Sequence, residues 1–596
     1  MIDNAVKYRL RILDAAAHLF EVECTVEVSV GEVQWRLPDW IPGSYMIRDF
    51  ARHIVSLDAA LDGHEIACEK VTKNSWQAVA TQAGELTLRY QVYAWDLSVR
   101  GAHLDQTHGF FNGTSVFVSI DGTEHQPHQV RIETTSACPD WRVATSMRAV
   151  QLDASGFGTY KSTDYDEFID HPFEMGTFER VEFEACGVPH EVVFTGRYHG
   201  DLERVCADLK TICEAQIQFF GTPAPMERYV FMVMVVGDGY GGLEHRASTA
   251  LMIERNCLPV HGEKAVSDDY LKFLGLCSHE YFHTWNVKRI RPAAFVPFDL
   301  TQEVYTSQLW AFEGITSYYD DLFLLRTGLI DAERYLSLVS QTITRVYRGS
   351  GRHKQSLSES SFDAWTKFYK QDENAPNAIV SYYAKGMLVA MGLDLVMRQR
   401  TGNQLGLDDV MHTLWQQYCD GLVGIEDGHI EQVAEELCGS DLSDFFDVAV
   451  RGVEDLPLDE YLAAAGVEMR WMSAEASAEK GLALDKGDCE TTASLGVQLG
   501  KGTHINYAFT DGAAHRAGLS AGDELLAWNG VRLHAGGLKS QLKRQIPGDK
   551  IEITAFRRDE LMQFDVELQP APHDTCRLRS KEGYEDLRDE WLMPDA

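Results

Sequence analysis

The chain lacks the pairing that would mark a disulfide framework. Its 596 residues hold twelve cysteines, scattered singly and with no CxxC pair. In a chain this long such thiols are expected to be reduced and mostly buried, Cys277 among them. It also lacks any run of about 18 uncharged apolar residues, so no membrane-spanning helix is expected. The opening residues, Met1 to Arg9, carry neither an apolar h-region nor a small-residue cleavage site. No secretory signal is expected there, and a cytoplasmic location follows as the expectation. Positive charge is in short supply, with Lys+Arg 54 against Asp+Glu 90 and a net charge of −36. That excludes the basic patches needed for nucleic acid or an anionic membrane. An acidic surface keeps the protein monodisperse, and it also attracts cationic groups such as free peptide N-termini. Apolar residues are plentiful, at 45% hydrophobic and 10% aromatic, which excludes a disordered chain.

Length alone predicts three or four domains. From Tyr8 to about Val193 the pattern is strand-like, with alternation in residues 23–30, 86–93 and 115–120. An all-β N-terminal domain is expected over 1–193. It contains two aromatic, turn-rich segments, residues 37–49 (LPDWIPGSYMIRD) and 108–115 (HGFFNGTS), read as ordered loops. Near Gly200 the period changes. Asp201 to Phe220 reads as a helix with Gln216 as a polar interruption, and Tyr229 to Val236 as a continuous apolar strand. A helix is expected from Ser267, a plausible N-cap followed by Asp268 and Asp269, to about Pro292. Residues 306–465 read as several helices, so 194–470 is expected to be one α/β-then-helical domain, with its α/β part ending near 305. A Ser/Ala/Glu/Lys/Gly stretch from Ser473 to Asp488 reads as a linker, 489–570 as a domain of short strands, and 571–596 as a charged surface tail. The fold class is therefore multidomain α+β.

Within the expected helix lies His279-Glu280-Tyr281-Phe282-His283, an H-E-x-x-H motif. Residues four apart share a helix face, so both imidazoles can reach one metal, and Glu280 can take a proton from a water activated by it. A zinc hydrolase needs a third protein ligand. Glu313 stands in an otherwise apolar helical stretch (WAFEGITSYY), where a carboxylate is costly unless paired or metal-bound. Two neutral imidazoles and one carboxylate would leave one zinc per chain with net charge +1, enough to bring water's pKa toward ~7. Residues 237–242 also spell G-x-G-x-x-G after an apolar strand, but residues 243–253 read as a returning strand. The dinucleotide fingerprint needs a helix there.

H-E-Y-F-H followed by the E-G-I-T helix resembles the thermolysin-like zinc peptidases with a glutamate third ligand, particularly their aminopeptidases. With HEYFHTWNVKR (279–289), EGITSYY and WIPGSYMIRD, the tract from about residue 8 to 465 resembles the glycyl aminopeptidase family. The resemblance implies a thermolysin-like catalytic domain and removal of small N-terminal residues, Gly or Ala, from peptides. An aminopeptidase needs a carboxylate to pair with the substrate's α-ammonium. By resemblance that is Glu244, at the end of Gly241-Gly242-Leu243-Glu244-His245, with backbone beside it to pair with the peptide. His245 departs from the asparagine of the larger relative family, and no contact is carried onto it. The Tyr-x-Lys-Gly segment makes Tyr383 the expected oxyanion donor, with Tyr382 as rival. For Arg289 and Arg291, structural ion pairing is expected. The run from Ala513 to Gly530 resembles a bacterial-type PDZ domain, with Ser494, Leu495, Gly496 and Val497 as the loop that would take a peptide C-terminus. Alternatives remain: a zinc endopeptidase with Glu244 structural, or a PDZ-centred adaptor with a vestigial peptidase domain.

Overall fold

The computed structural model describes residues 5–135, 138–473 and 492–593, and divides into Met1–Val304 with Asp420–Gly424, and Tyr305–Cys419 with Ile425–Ala596. All but the first residue of the expected linker, and the first three of the 489–570 domain, lie outside the described residues. No described helix is long and apolar enough to cross a membrane.

In the first unit, alternation builds the N-terminal β-structure. Strand Val6–Asp14 buries Val6, Tyr8, Leu10 and Ile12 and faces its other side outward. It lies inside an eight-stranded sheet, between Leu19–Val28 and His128–Ile132. Two four-stranded sheets complete this part. One expected strand is not formed: residues 115–120 make a short helix, Gly113–Val116, and then the two-residue strand Ser119–Ile120. Every residue from His108 to Ile120 is buried, so the alternation there did not reflect one wet face.

A second sheet positions the site. Its order is Glu179–Ala185, Val188–Gly196, Tyr229–Val236, Ser248–Glu254 and, at the edge, Gly241–His245. The strand Val188–Gly196 runs parallel to Tyr229–Val236. The N-terminal β-part therefore gives way near residue 178, some residues before the expected 193. Tyr229–Val236 is buried along nearly its whole length, which accounts for its unbroken apolar run. Residues 243–253 form the two arms of a hairpin and not a helix, so G-x-G-x-x-G holds no pyrophosphate here.

In the second unit, helix Ala384–Thr401 is buried on every side from Ala384 to Arg398. Around it lie Ile315–Arg326, Ala332–Arg348, Leu407–Tyr418 and His429–Cys438. Gly314 and Gly386 let two helical segments touch. A Cβ on Gly314 would lie 2.5 Å from backbone atoms of Gly386. Residues 492–570 build a four-stranded sheet with its own core of Leu525, Trp528, Ile551, Ile553 and Val566. Asn529 and Gly530 both take positive φ, 49° and 73°, in the hairpin turn their dipeptide signals.

The expected surface tail is not one. Thr575–Ser580 pairs antiparallel with Val467–Met472, and helix Glu585–Leu592 buries Trp591 and Leu592. Charge made the segment read as exposed, but Cys576, Leu578, Trp591 and Leu592 are buried and supply its anchors.

Candidate active site

Helix Asp268–Phe282 starts where the sequence says it should. The Ser267 hydroxyl accepts from Tyr270 N at 3.2 Å, and Asp268 and Asp269 meet the positive helix end. Its last helical residue is Phe282, ten residues before Pro292, with His283 as C-cap. Leu271, Phe273, Leu274 and Cys277 bury its inner face. Gln216, which read as a flaw in its own helix, is fully buried and donates to Ser278 O and Oγ, both at 3.0 Å. This polar clamp grips the motif helix one residue before His279, and no periodicity signal could have found it.

His279 and His283 lie one turn apart, ring centroids 4.6 Å apart at 87°, each offering a ligand nitrogen within 4.8 Å of the other. His283 is buried, and its Nδ1 sits 2.8 Å from Asn286 O. A carbonyl can only accept, so Nδ1 carries the proton and Nε2 keeps its lone pair, the usual arrangement of a metal-ligating imidazole. The backbone holding that carbonyl is strained. Val287 has φ 116°, a genuine outlier for a β-branched residue and worth about 1–3 kcal/mol. Val287 N to Ile290 O at 2.9 Å and Lys288 N to His283 O at 3.1 Å pin it.

Lys288 is pinned again from its side chain. Its Nζ meets buried Asp170 at 2.8 Å, beside His245 Nδ1 at 3.0 Å and Arg246 Nε at 2.9 Å. Burial alone would raise the Asp170 pKa. Lys288, His245 and Arg246 outweigh it and hold the carboxyl well below its usual range. His245 is thus an anchor for the edge strand. Arg289 and Arg291, expected in ion pairs, instead donate to carbonyls: Arg289 to Thr284, Arg246 and Pro225, and Arg291 to Gly421. Burial pushes Arg289 down to about 10. Both cap loop backbone that no secondary structure satisfies.

Two carboxylates converge on the edge strand Gly241–His245. Glu280 is 5% exposed, and a Cβ on Gly242 would stand 2.0 Å from its Oε1. Only glycine lets the strand pass so close. Glu244 is 4% exposed, and a Cβ on Gly43 would lie 2.5 Å from its Oε2. Gly43 belongs to the WIPGSY loop, where Trp40, Ile41 and Tyr45 are buried and Trp40 Nε1 donates to Asp299 O at 2.8 Å. The loop is ordered, as expected, and it closes over Glu244. Glu244 Oε1 is buried with no hydrogen-bond partner among the described residues. A buried acceptor left this way favours a donor arriving from outside.

In the second unit Glu313 is 2% exposed, on the π-turn Trp310–Gly314 that leads into Ile315–Arg326. Such single-turn bulges recur at functional sites. Tyr382 is fully buried, whereas Tyr383 is half-buried at the start of helix Ala384–Thr401, its ring stacked on Tyr382 and Phe368. Ser494, Gly496 and Val497 line a cavity of about 440 Å³ that Arg348 and Arg352 also line, while Leu495 points into the core.

Residues 7–177 match the Peptidase M61 N-terminal domain, and residues 272–389 match the M61 glycyl aminopeptidase family. The crystal structure of an aminopeptidase N family protein from Idiomarina loihiensis is 41% identical, covers 99% of this chain and 100% of its own, and superposes with a TM-score of 0.95. An M1 zinc metallopeptidase from Deinococcus radiodurans covers 76% of this chain at 15% identity and a TM-score of 0.47. Over 130 residues the chain is 25% identical to a probable periplasmic serine endoprotease DegP-like of Brucella suis; the match spans 24% of that protein's length.

Proposed function

The chain belongs to the M61 glycyl aminopeptidase family, and we propose that it is a zinc-dependent aminopeptidase removing small residues, glycine or alanine, from peptide N-termini. His279, His283 and Glu313 are the proposed ligands of one zinc ion per chain. The fixed tautomer of His283 and the burial of the Glu313 carboxylate fit that role. Bound there, zinc supplies Lewis-acid polarisation of the scissile carbonyl and makes hydroxide accessible near neutral pH.

The rest of the chemistry belongs to side chains. Glu280 takes the proton from the attacking water and returns it to the departing amine nitrogen. Tyr383 donates a hydrogen bond from its phenol to the carbonyl oxygen as that oxygen gains negative charge, and keeps its proton. Its partial exposure favours it over buried Tyr382. Glu244 accepts from the substrate α-ammonium, and the open edge of Gly241–His245 pairs with the substrate backbone. The observation that carries this reading is the shared strand: Gly242 presses on the base while Glu244, two residues on, waits beneath the WIPGSY loop. Base and amine anchor are then one short step apart, the spacing of an exopeptidase. Residues 492–570 are proposed as a PDZ domain, with Ser494, Leu495, Gly496 and Val497 as its carboxylate loop.

Glycine and alanine arylamides test the reading. Metal-replete protein should cleave both, Glu280→Gln should lose about 10²–10⁴-fold in kcat, and N-acetylated peptides should resist. Cleavage of blocked peptides at rates equal to free ones would make the enzyme an endopeptidase. Undiminished turnover by Glu280→Gln would remove the mechanism.

A further inference from the structure

A second group of metal-ligating side chains lies in the first unit, on a hairpin to which no role has been assigned. Strand Ala102–Leu104 turns through residues 105–107 into His108–Phe111. That tight turn brings His103, Asp105 and His108 together, with one ligand atom of each within 4.8 Å of the others. The imidazoles of His103 and His108 stack at 4.9 Å and 28°, and Trp95 stacks on His103 at 4.9 Å and 29°.

The polar groups are arranged to leave ligand atoms over. Asp105 Oδ1 accepts from Thr107 N and Oγ1, both at 2.6 Å, and from His108 N at 3.1 Å. Its Oδ2 stands 3.5 Å from His103 Nε2, long for a hydrogen bond. It is close to the roughly 3.3 Å that separates two ligands held tetrahedrally at ~2.0–2.1 Å from one zinc ion. His103 is 4% exposed, and its Nδ1 is buried with no hydrogen-bond partner among the described residues. His108 Nδ1 lies 3.2 Å from Glu174 Oε1, which also accepts from Thr195 Oγ1 at 3.0 Å. A carboxylate behind an imidazole is the outer-shell partner that fixes a metal-binding tautomer. The three ligands border a cleft of about 1360 Å³, which supplies a way in and room for water as fourth ligand.

We propose that His103, Asp105 and His108 form a second metal site, for zinc or a similar borderline divalent cation, backed by Glu174. Three protein ligands leave one position of the ion open to the cleft. The ion braces the hairpin just beyond Arg100, which donates to Gly242 O at 3.3 Å on the edge strand. The proposal stands apart from the catalytic reading, since it needs neither His279 nor His283.

The test is metal stoichiometry on the full chain, by equilibrium dialysis against zinc and elemental analysis. Wild type should hold two ions, and His103→Ala/His108→Ala and His279→Ala/His283→Ala one each. Should the first double variant not fold, cobalt titration of His279→Ala/His283→Ala replaces it. One equivalent with visible d–d bands, lost on adding Asp105→Asn, is expected. His103→Ala/His108→Ala that folds and holds as many ions as wild type would overturn the site, as would a cobalt titration without bands. Retention of both ions by His279→Ala/His283→Ala would instead count against the catalytic ligand set.

Discussion

Each unit buries an aspartate, and the two are held in opposite ways. Asp170 meets two cationic side chains, Lys288 and Arg246, and accepts from His245 Nδ1, and its pKa falls well below the ordinary value. Asp394, fully buried in helix Ala384–Thr401, meets one cation, Arg398 Nε at 3.0 Å, with Tyr318 OH at 2.6 Å and Leu407 N at 2.9 Å. There burial outweighs Arg398 and the pKa rises. The count of cations decides the sign, because desolvation costs either carboxylate much the same. The location differs too. Asp170 is anchored to the turn that positions His283, so a rigid charge there serves the site. Asp394 sits in a helix junction closed by Trp591, whose Nε1 donates to Tyr318 OH at 2.9 Å, and it serves packing.

Asp170→Asn should cost most, about 3–5 kcal/mol at neutral pH, because it leaves the Lys288 ammonium, 6% exposed, against a neutral group. With its folded pKa depressed, the Asp170 contribution is present above the unfolded value near ~3.9 and fades as pH falls through the folded one. Denaturant melts of wild type and variant should therefore converge as the pH is lowered from 7 toward 3. A constant gap would mean that Lys288, Arg246 and His245 do not hold the ionised form.

Asp394→Asn should cost less, about 1.5–3 kcal/mol, the range for hydrogen bonds to a charged group. Its pH trend should run the other way. A raised pKa stabilises the fold fully below ~3.9 and loses that as pH rises through the folded value. The wild-type advantage should widen toward acid in the same melts. Parallel trends for the two variants would break the comparison.

Much of the site was legible because its signals are local. The motif, its N-cap Ser267 and the Asp201 helix start follow from spacing within a few residues, whereas Glu244 on its edge strand came from family resemblance. What escaped depends on distance. Asp170 and Lys288 are 118 positions apart, Gln216 and Ser278 62, and Gly43 reaches Glu244 only through the fold. The domain boundary slipped because Val188–Gly196 alternates like its predecessors yet pairs in the next sheet. The C-terminal segment misled because a charged stretch needs only Cys576, Leu578, Trp591 and Leu592 to dock.

The smallest effect on the fold, and the clearest separation of reaction from scaffold, should come from Gly242→Ala. Gly242 has an ordinary φ, so alanine adds no backbone strain. Its Cβ would fall 2.0 Å from Oε1 of Glu280, a flexible side chain, 5% exposed, that must swing aside. At Gly314 the obstacle is the backbone of Gly386, which cannot. Stability of Gly242→Ala should therefore fall by about 1 kcal/mol, the low end for overpacking, because a side chain and not backbone gives way. Displacing the Glu280 carboxylate by an ångström should still lower kcat/KM by about 10². Melting and arylamide kinetics on one preparation read both quantities. A variant that keeps full activity would mean that the carboxylate in contact with Gly242 is not the group that moves the proton.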